Sequence, residues 1–217
     1  MRVYKYFKDP VYGYIELPYD LVEDIVDNPL FQRLKHIKQN GFASYVYPHL
    51  EHSRFSHSLG VAHLASRSID YIIKNTKSYV IPTYSSKDDE IHKRQAEGLK
   101  YLIEIMEVFR NYIISIGLLH DIGHMPYSHV YESAISEAIH IFNISIHPDF
   151  SKHTSLTIIN TIIDYMNDIK RFKFVDRDLL KFFIRVPYLG IPGLDDVHKL
   201  MNLISASNDK RIKRYFK

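Results

Sequence analysis

The stretch Gly117-Leu-Leu-His120-Asp121-Ile-Gly-His124-Met-Pro-Tyr-Ser-His129 constrains this chain more than any other. It crowds three histidines and an aspartate into about a dozen residues behind the apolar run Tyr112-Ile-Ile-Ser-Ile-Gly-Leu-Leu. That run reads as a buried helix, with Gly123 and Pro126 as its stop signal. Neighbouring His120 and Asp121 cannot share one flat face of a regular helix. At a helix end that is about to break, both can turn toward one ion. An imidazole and a carboxylate at a buried helix end suit a borderline or hard divalent metal. A single buried histidine is usually just hydrogen-bonded, but the His-Asp pair with two further histidines downstream calls for a functional explanation.

The remaining chain reads as mainly α-helical. Residues 1–20 alternate aromatic and polar side chains around Asp9-Pro10 and Gly13, which predicts a hairpin of Val3–Phe7 against Tyr12–Leu17. Pro18 ends it. Apolar residues at Leu21, Val22, Ile25, Val26, Leu30, Phe31, Leu34 and Ile37 then recur at helical spacing, interrupted at Asn28-Pro29. An irregular aromatic loop over Gly41–His52 leads to a helix from Ser53 to about Asn75. Residues 76–88 read as a polar connector, and helical periodicity returns from Glu90 to about Leu119, bending near Arg110-Asn111. Further helices are expected at about Tyr131–Asn143, Leu156–Met166, Asp178–Arg185 and Asp195–Ser205. His147-Pro148 breaks the chain, residues 187–193 form a loop, and a basic tail closes it. No internal repeat or convincing linker divides the 217 residues. A single domain follows, with a hairpin at 1–20, a helical core at 21–205 and a tail at 206–217.

Composition narrows the function classes. With 46% hydrophobic and 24% charged residues, the chain can bury a substantial core and is not disordered. The absence of cysteine excludes disulfides and thiolate metal sites, and fits a cytoplasmic or nuclear protein that is not secreted. No apolar run approaches the roughly 20 residues of a membrane span, and MRVYKYFKDP lacks a signal-peptide core. A formal charge of +3 permits anionic ligands without singling out nucleic acid, which is an unlikely partner.

Around the central stretch, His57 is the natural additional ligand, in the first turn of a helix with Arg54 three residues before it. One side chain would face the metal and the other the anion. Arg54 can hold a phosphate through two parallel hydrogen bonds. His124 and His129 are candidates for phosphate contact and proton transfer, since an imidazole titrates near pH 6.5. Glu132 can orient a histidine.

The stretch from Gly117 to His129 resembles the central motif of the HD superfamily of metal-dependent phosphohydrolases. Gly123-His-Met-Pro-Tyr-Ser-His129 resembles the branch that hydrolyses deoxynucleoside triphosphates. His52-Ser-Arg-Phe-Ser-His-Ser-Leu-Gly-Val61 is similar to the segment carrying that family's first metal-binding histidine. The segments Lys5–Leu17 and Asp27–Gly41 are similar to the N-terminal part of the animal sterile-alpha-motif-and-HD-domain triphosphohydrolases. The similarity is strong over about residues 4–70 and 110–165 and weak beyond.

The resemblance implies an HD domain in which His57, His120 and Asp121 hold a divalent ion (Mg, Mn, Fe or Zn) with a distant aspartate as fourth ligand. It implies a catalytic set of His124, His129, His153 and Glu132. Arg54 and His124 would lie on substrate phosphates and Gln39 beside the substrate sugar. Lys5, Asp27, Gln32 and Lys35 fall where the family binds a regulatory nucleotide, and homo-oligomers are possible. The implied reaction is hydrolysis of a deoxynucleoside triphosphate to nucleoside and triphosphate.

Several positions depart from the family. Lys35 stands for an arginine, Asn40 for a leucine, Glu132 for an aspartate and Thr154 for a glutamate. The family's fourth-ligand segment and its long C-terminal lobe have no counterpart. Asp209, or alternatively Asp195-Asp196, is the nearest candidate for the fourth ligand. A different class of function therefore stays open: a catalytically weak, shortened homologue that binds nucleotide or a full-length relative as a regulator.

Overall fold

The computed structural model describes residues 3–86, 89–143, 156–189 and 194–216. Strands β1 (Tyr4–Asp9) and β2 (Gly13–Pro18) pair antiparallel, in register from Tyr4 opposite Pro18 to Asp9 opposite Gly13. The Asp9 carboxylate closes their turn by accepting from the backbone N–H groups of Val11 (2.8 Å) and Tyr12 (3.0 Å). Gly13, at φ +74°, supplies the left-handed residue that the turn needs. Alternation along β2 buries Ile15 and Leu17 and leaves Tyr14 and Glu16 outside.

A short helix α1 (Tyr19–Leu21) runs into a π-helical turn, Val22–Val26. Asn28 then caps α2 (Pro29–Gln32): its Oδ1 accepts from Leu30 N (3.1 Å), and its Nδ2 donates to the Met166 carbonyl (2.9 Å). 3-10 turns follow at Arg33–His36, Gly41–Tyr45 and Pro48–Leu50. Helix α3 (Arg54–Asn75) starts with Ser53 as N-cap. Then come α4 (Ile81–Ser85), α5 (Glu90–Val108), α6 (Arg110–Leu119) and α7 (His129–Ile141). The described chain ends with α8 (Leu156–Ile169), α9 (Arg177–Leu189), α10 (Leu194–Ala206) and α11 (Lys210–Tyr215). The fold is mainly α-helical with a small N-terminal hairpin, as expected. Among the described residues no helix is long and apolar enough to cross a membrane.

Two local expectations change. Much of the connector expected at 76–88 is helical: a π turn (Thr76–Val80) leads into α4, and Ile81 packs against the core. The wide turn lies where a regular helix would press the Pro82 ring against a preceding carbonyl. The basic tail likewise contains α11, because Ile212 and Phe216 form an apolar stripe. Ile212 is fully buried, and the Phe216 ring lies 6.1 Å from that of Phe109. The break expected at His147-Pro148 lies outside the described residues.

Helix α6 is the centre of the core, with Tyr112, Ile114, Leu118 and Leu119 all without solvent exposure. It packs on α3 at Gly117, where a Cβ would stand 3.0 Å from the Ala62 Cα and 3.1 Å from its nitrogen. The C-terminal helices are tied in by two buried polar groups. The Asp24 carboxylate accepts from the N–H groups of Lys173, Phe174 and Val175 (2.8–3.0 Å), fixing the segment between α8 and α9. The Tyr112 hydroxyl accepts from Asp176 N (3.1 Å) and donates to Asp209 (3.0 Å), the residue that caps α11.

Substituting Gly117→Ala forces α3 and α6 apart and lowers unfolding free energy by about 1–3 kcal/mol. Gly98→Ala, on α5 with open space around it, raises it by up to about 1 kcal/mol. Urea titration of the two variants beside the parent checks both signs.

Candidate metal centre

Helix α6 delivers the central motif. After Leu119 the chain stays coiled for one more turn, with hydrogen bonds from His120 N to Ile116 O, Ile122 N to Leu119 O and His124 N to Asp121 O. The loop beyond it carries its backbone strain at Tyr127 (φ 65°) and Ser128 (φ 55°), neither of them glycine. Such residues cost on the order of 1–3 kcal/mol each unless their surroundings hold them. Here the Tyr127 ring stacks on Phe42 at 4.6 Å. The buried Ser128 hydroxyl donates to the Lys38 carbonyl (3.1 Å) and accepts from Arg54 Nε (3.0 Å). Gly41, at φ +49°, keeps clear the space beside the Tyr127 carbonyl, which a Cβ would approach to 3.1 Å.

Across from this loop stands the first turn of α3. His57, His120 and Asp121 each turn one ligand atom into a common space, all within 4.8 Å of one another. The two imidazole Nε2 atoms are 3.3 Å apart. His57 Nε2 lies 3.7 Å, and His120 Nε2 3.4 Å, from the Asp121 carboxylate. His120 Nδ1 bonds the Gly117 carbonyl at 2.8 Å, so Nδ1 carries the proton and Nε2 presents its lone pair. Burial, reinforced by the His120 and Arg54 charges, lowers the His57 pKa against the opposing pull of Asp121. Burial pushes the Asp121 carboxyl up, but His120, Arg54 and His124 together outweigh it and hold it below the usual carboxylate range. Two imidazole nitrogens and a carboxylate are the donor set of a divalent-metal site, and the residues fit one.

Arg54 is not an open fork facing solvent. Only 2% exposed, it donates through Nη1 to Asp121 (2.6 Å), through Nε to Ser128 and through Nη2 to the Gln39 carbonyl (3.3 Å). The Gln39 Oε1 is buried without a hydrogen-bond partner. A second group, His124, His129 and Glu132, adjoins the first, with His124 Nε2 3.6 Å from Asp121. His129 Nδ1 lies 3.1 Å from Glu132, and its ring, two-thirds exposed, meets the buried His124 ring edge-on at 5.0 Å. A cavity of about 470 Å³ between the hairpin turn and α3 opens on His57.

The other expected residues stand apart from these groups. Lys5 pairs with Asp27 at 2.8 Å and lies over the Tyr19 ring. Gln32 donates to the Val26 carbonyl (2.6 Å), and the Lys35 ammonium sits 4.8 Å from the Phe55 ring centre. Asp209 belongs to neither metal-type group: it caps α11 and receives Tyr112 and Arg211. Asp196, on α10, belongs to neither group as well. His153 lies outside the described residues.

Sequence reasoning missed Arg33 and Ser128. The Arg33 guanidinium donates to the carbonyls of Ile122 and His124 (2.6 Å to the latter), clamping the motif loop from 91 residues away. Burial lowers its pKa. No local pattern signals such a contact.

Comparison with known proteins agrees with this geometry. The HD domain family matches residues 54–168, just over half of the chain and the whole of both residue groups. A deoxynucleoside triphosphate triphosphohydrolase SAMHD1 homolog of Dictyostelium discoideum is 36% identical over 133 residues, 61% of this chain and 21% of that protein. Deoxynucleoside triphosphate triphosphohydrolase SAMHD1 of Homo sapiens is 35% identical over 128 residues, covering 59% and 16%. The uncharacterized protein YwfO of Bacillus subtilis is 30% identical over 161 residues, covering 73% and 29%. The matched region thus spans less than a third of each of these relatives.

Asp209→Ala removes a helix cap and a buried acceptor and is expected to cost about 2 kcal/mol of stability while leaving metal content unchanged. His120→Ala and Asp121→Ala abolish stoichiometric metal binding. Elemental analysis of dialysed protein, with urea titration in parallel, distinguishes the two behaviours.

Proposed function

Because the chain belongs to the HD-domain family, we propose that it is a metal-dependent phosphohydrolase acting on nucleotides, and on deoxynucleoside triphosphates in particular. The convergence of His57, His120 and Asp121 carries this reading, with the His124, His129 and Glu132 group beside it. The choice of deoxynucleoside triphosphates rests on the named activity of the SAMHD1 relatives.

A divalent ion held by His57, His120 and Asp121 supplies Lewis-acid polarisation of a phosphate oxygen and a lowered pKa for water. The protein's own groups do the rest. Arg54 keeps Asp121 ionised and oriented, and its positive charge lies beside the path of an incoming polyphosphate. His124 faces the phosphates from the other side. The buried Gln39 Oε1 has an acceptor to offer a sugar hydroxyl. Water adds to the α-phosphorus, the bond from phosphorus to the nucleoside 5′-oxygen breaks, and that oxygen needs a proton. His129, steered by Glu132 and open to solvent, delivers it. The family resemblance gives His153, outside the described residues, a supporting role. Asp209, held as the cap of α11, is not assigned to the ion, and Asp196 is the remaining candidate for a fourth ligand. Lys5, Asp27, Gln32 and Lys35 are the corresponding candidates for a regulatory nucleotide, which would have to displace their present partners.

A second reading is that the chain binds nucleotide or a longer relative without efficient turnover. It is favoured by the engagement of Asp209 in helix capping, which leaves the fourth ligand unassigned.

Product analysis with each deoxynucleoside triphosphate and Mg²⁺ or Mn²⁺ tests the proposal. Nucleoside and intact triphosphate are expected, lost in His120→Ala/Asp121→Ala. His129→Ala reduces kcat on the order of 10²-fold or more. Stoichiometric metal without turnover would overturn the catalytic reading in favour of the second.

A further inference from the structure

A cavity of about 850 Å³ lies away from the metal centre, between the outer face of the hairpin and α3. Its volume falls within the range of small-molecule sites. Tyr4, Tyr14 and Tyr71 contribute rings to its wall, and Arg67, Lys74 and Arg110 contribute charge. Arg67 and Lys74 are exposed, sit two turns apart on α3, and make no ion pair among the described residues. Two carboxylates, Glu16 and Asp70, also line the cavity, so the cations are in excess.

Arg110 is the exceptional member. It is 5% exposed and reaches the cavity from α6. Its Nη1 pairs with Asp70 (2.8 Å) and its Nη2 donates to the Ser66 hydroxyl (2.9 Å) and carbonyl (3.2 Å), yet its Nε–H has no acceptor. A buried N–H without an acceptor costs about 1–3 kcal/mol, so a small turn of the Arg110 guanidinium that brings its enclosed Nε–H to an acceptor in the cavity is favoured. An ammonium or a neutral hydrocarbon cannot supply one. A phosphate can, and its remaining oxygens suit the cations of Arg67 and Lys74. The three tyrosine rings add flat apolar surface on which a planar ring can stack.

We propose that this cavity is a second ligand site, independent of the metal centre, for a small phosphate ester carrying a planar ring. Arg110 and Arg67 hold the phosphate, Lys74 neutralises its outer face, and Tyr71 with the hairpin tyrosines receives the ring.

Calorimetric titration of the full chain with phenyl phosphate, and separately with inorganic phosphate, tests this. Saturable one-to-one binding is expected for phenyl phosphate, persisting in His57→Ala, which disables the metal centre and leaves the buried Arg54–Asp121 pair intact. Arg67→Ala/Lys74→Ala changes only exposed side chains, so folding is retained. It is expected to weaken binding by about tenfold or more, the loss of one charge-assisted contact. Tyr71→Ala is expected to bring phenyl phosphate down to the affinity of inorganic phosphate. No saturable binding at millimolar ligand, affinity unmoved by Arg67→Ala/Lys74→Ala, or binding lost with the metal-centre variant would each sink the site. Equal affinity for the two probes in the parent protein would remove the ring from the ligand.

Discussion

The buried contact between Arg54 and Asp121 organises the candidate site. Both side chains are almost fully enclosed, 2.6 Å apart, and belong to different helices: Arg54 opens α3 and Asp121 follows the end of α6. Taking two charges out of water is unfavourable, and the pair survives because each end has further partners. Arg54 also donates to Ser128 and the Gln39 carbonyl, while Asp121 faces three histidines. Loss of either partner alone would strand a buried charge, at about 3–5 kcal/mol. The same contact keeps the Asp121 carboxyl ionised, as metal ligation requires.

That pairing needs the two helices close together, and the contact of Gly117 with Ala62 allows it. One glycine therefore serves twice. Its missing side chain lets α6 approach α3, and its carbonyl fixes the ring tautomer of His120. The loop beyond is held from outside by Arg33, Ser128 and the Phe42–Tyr127 stack. Rigid backing of this kind keeps ligand atoms converged before any ion arrives. The catalytic candidates His129 and Glu132 sit on the more open rim, where a proton can exchange with solvent.

The C-terminal region is joined to this core by polar contacts as well as apolar ones. Asp24 gathers three backbone N–H groups between α8 and α9, and Tyr112 joins Asp176 to Asp209. Burial and the facing Asp209 charge raise the Tyr112 pKa far above its ordinary value, so it remains a hydrogen-bond donor at any physiological pH. Asp209 consequently has a structural occupation, although its position in the sequence had made it the candidate for a fourth ligand.

Features that depend on neighbours within a few turns were readable in the sequence. The hairpin, the start of α3 near Ser53, the break between α5 and α6 near Arg110 and the His120-Asp121 pair at a helix end all follow from local pattern. The resemblance to the HD superfamily added His57, which position alone left open. Contacts across the fold were not readable: Arg33 to the His124 carbonyl, His57 to His120, and Asp209 to Tyr112 span 91, 63 and 97 residues. The helix replacing the connector at 76–88 was missed because Ile81 finds its apolar partner only in the assembled core. Residue type and spacing thus determined which side chains could bind a metal. Tertiary packing decided which of them meet, because the distance between two side chains on different helices depends on how those helices approach and turn.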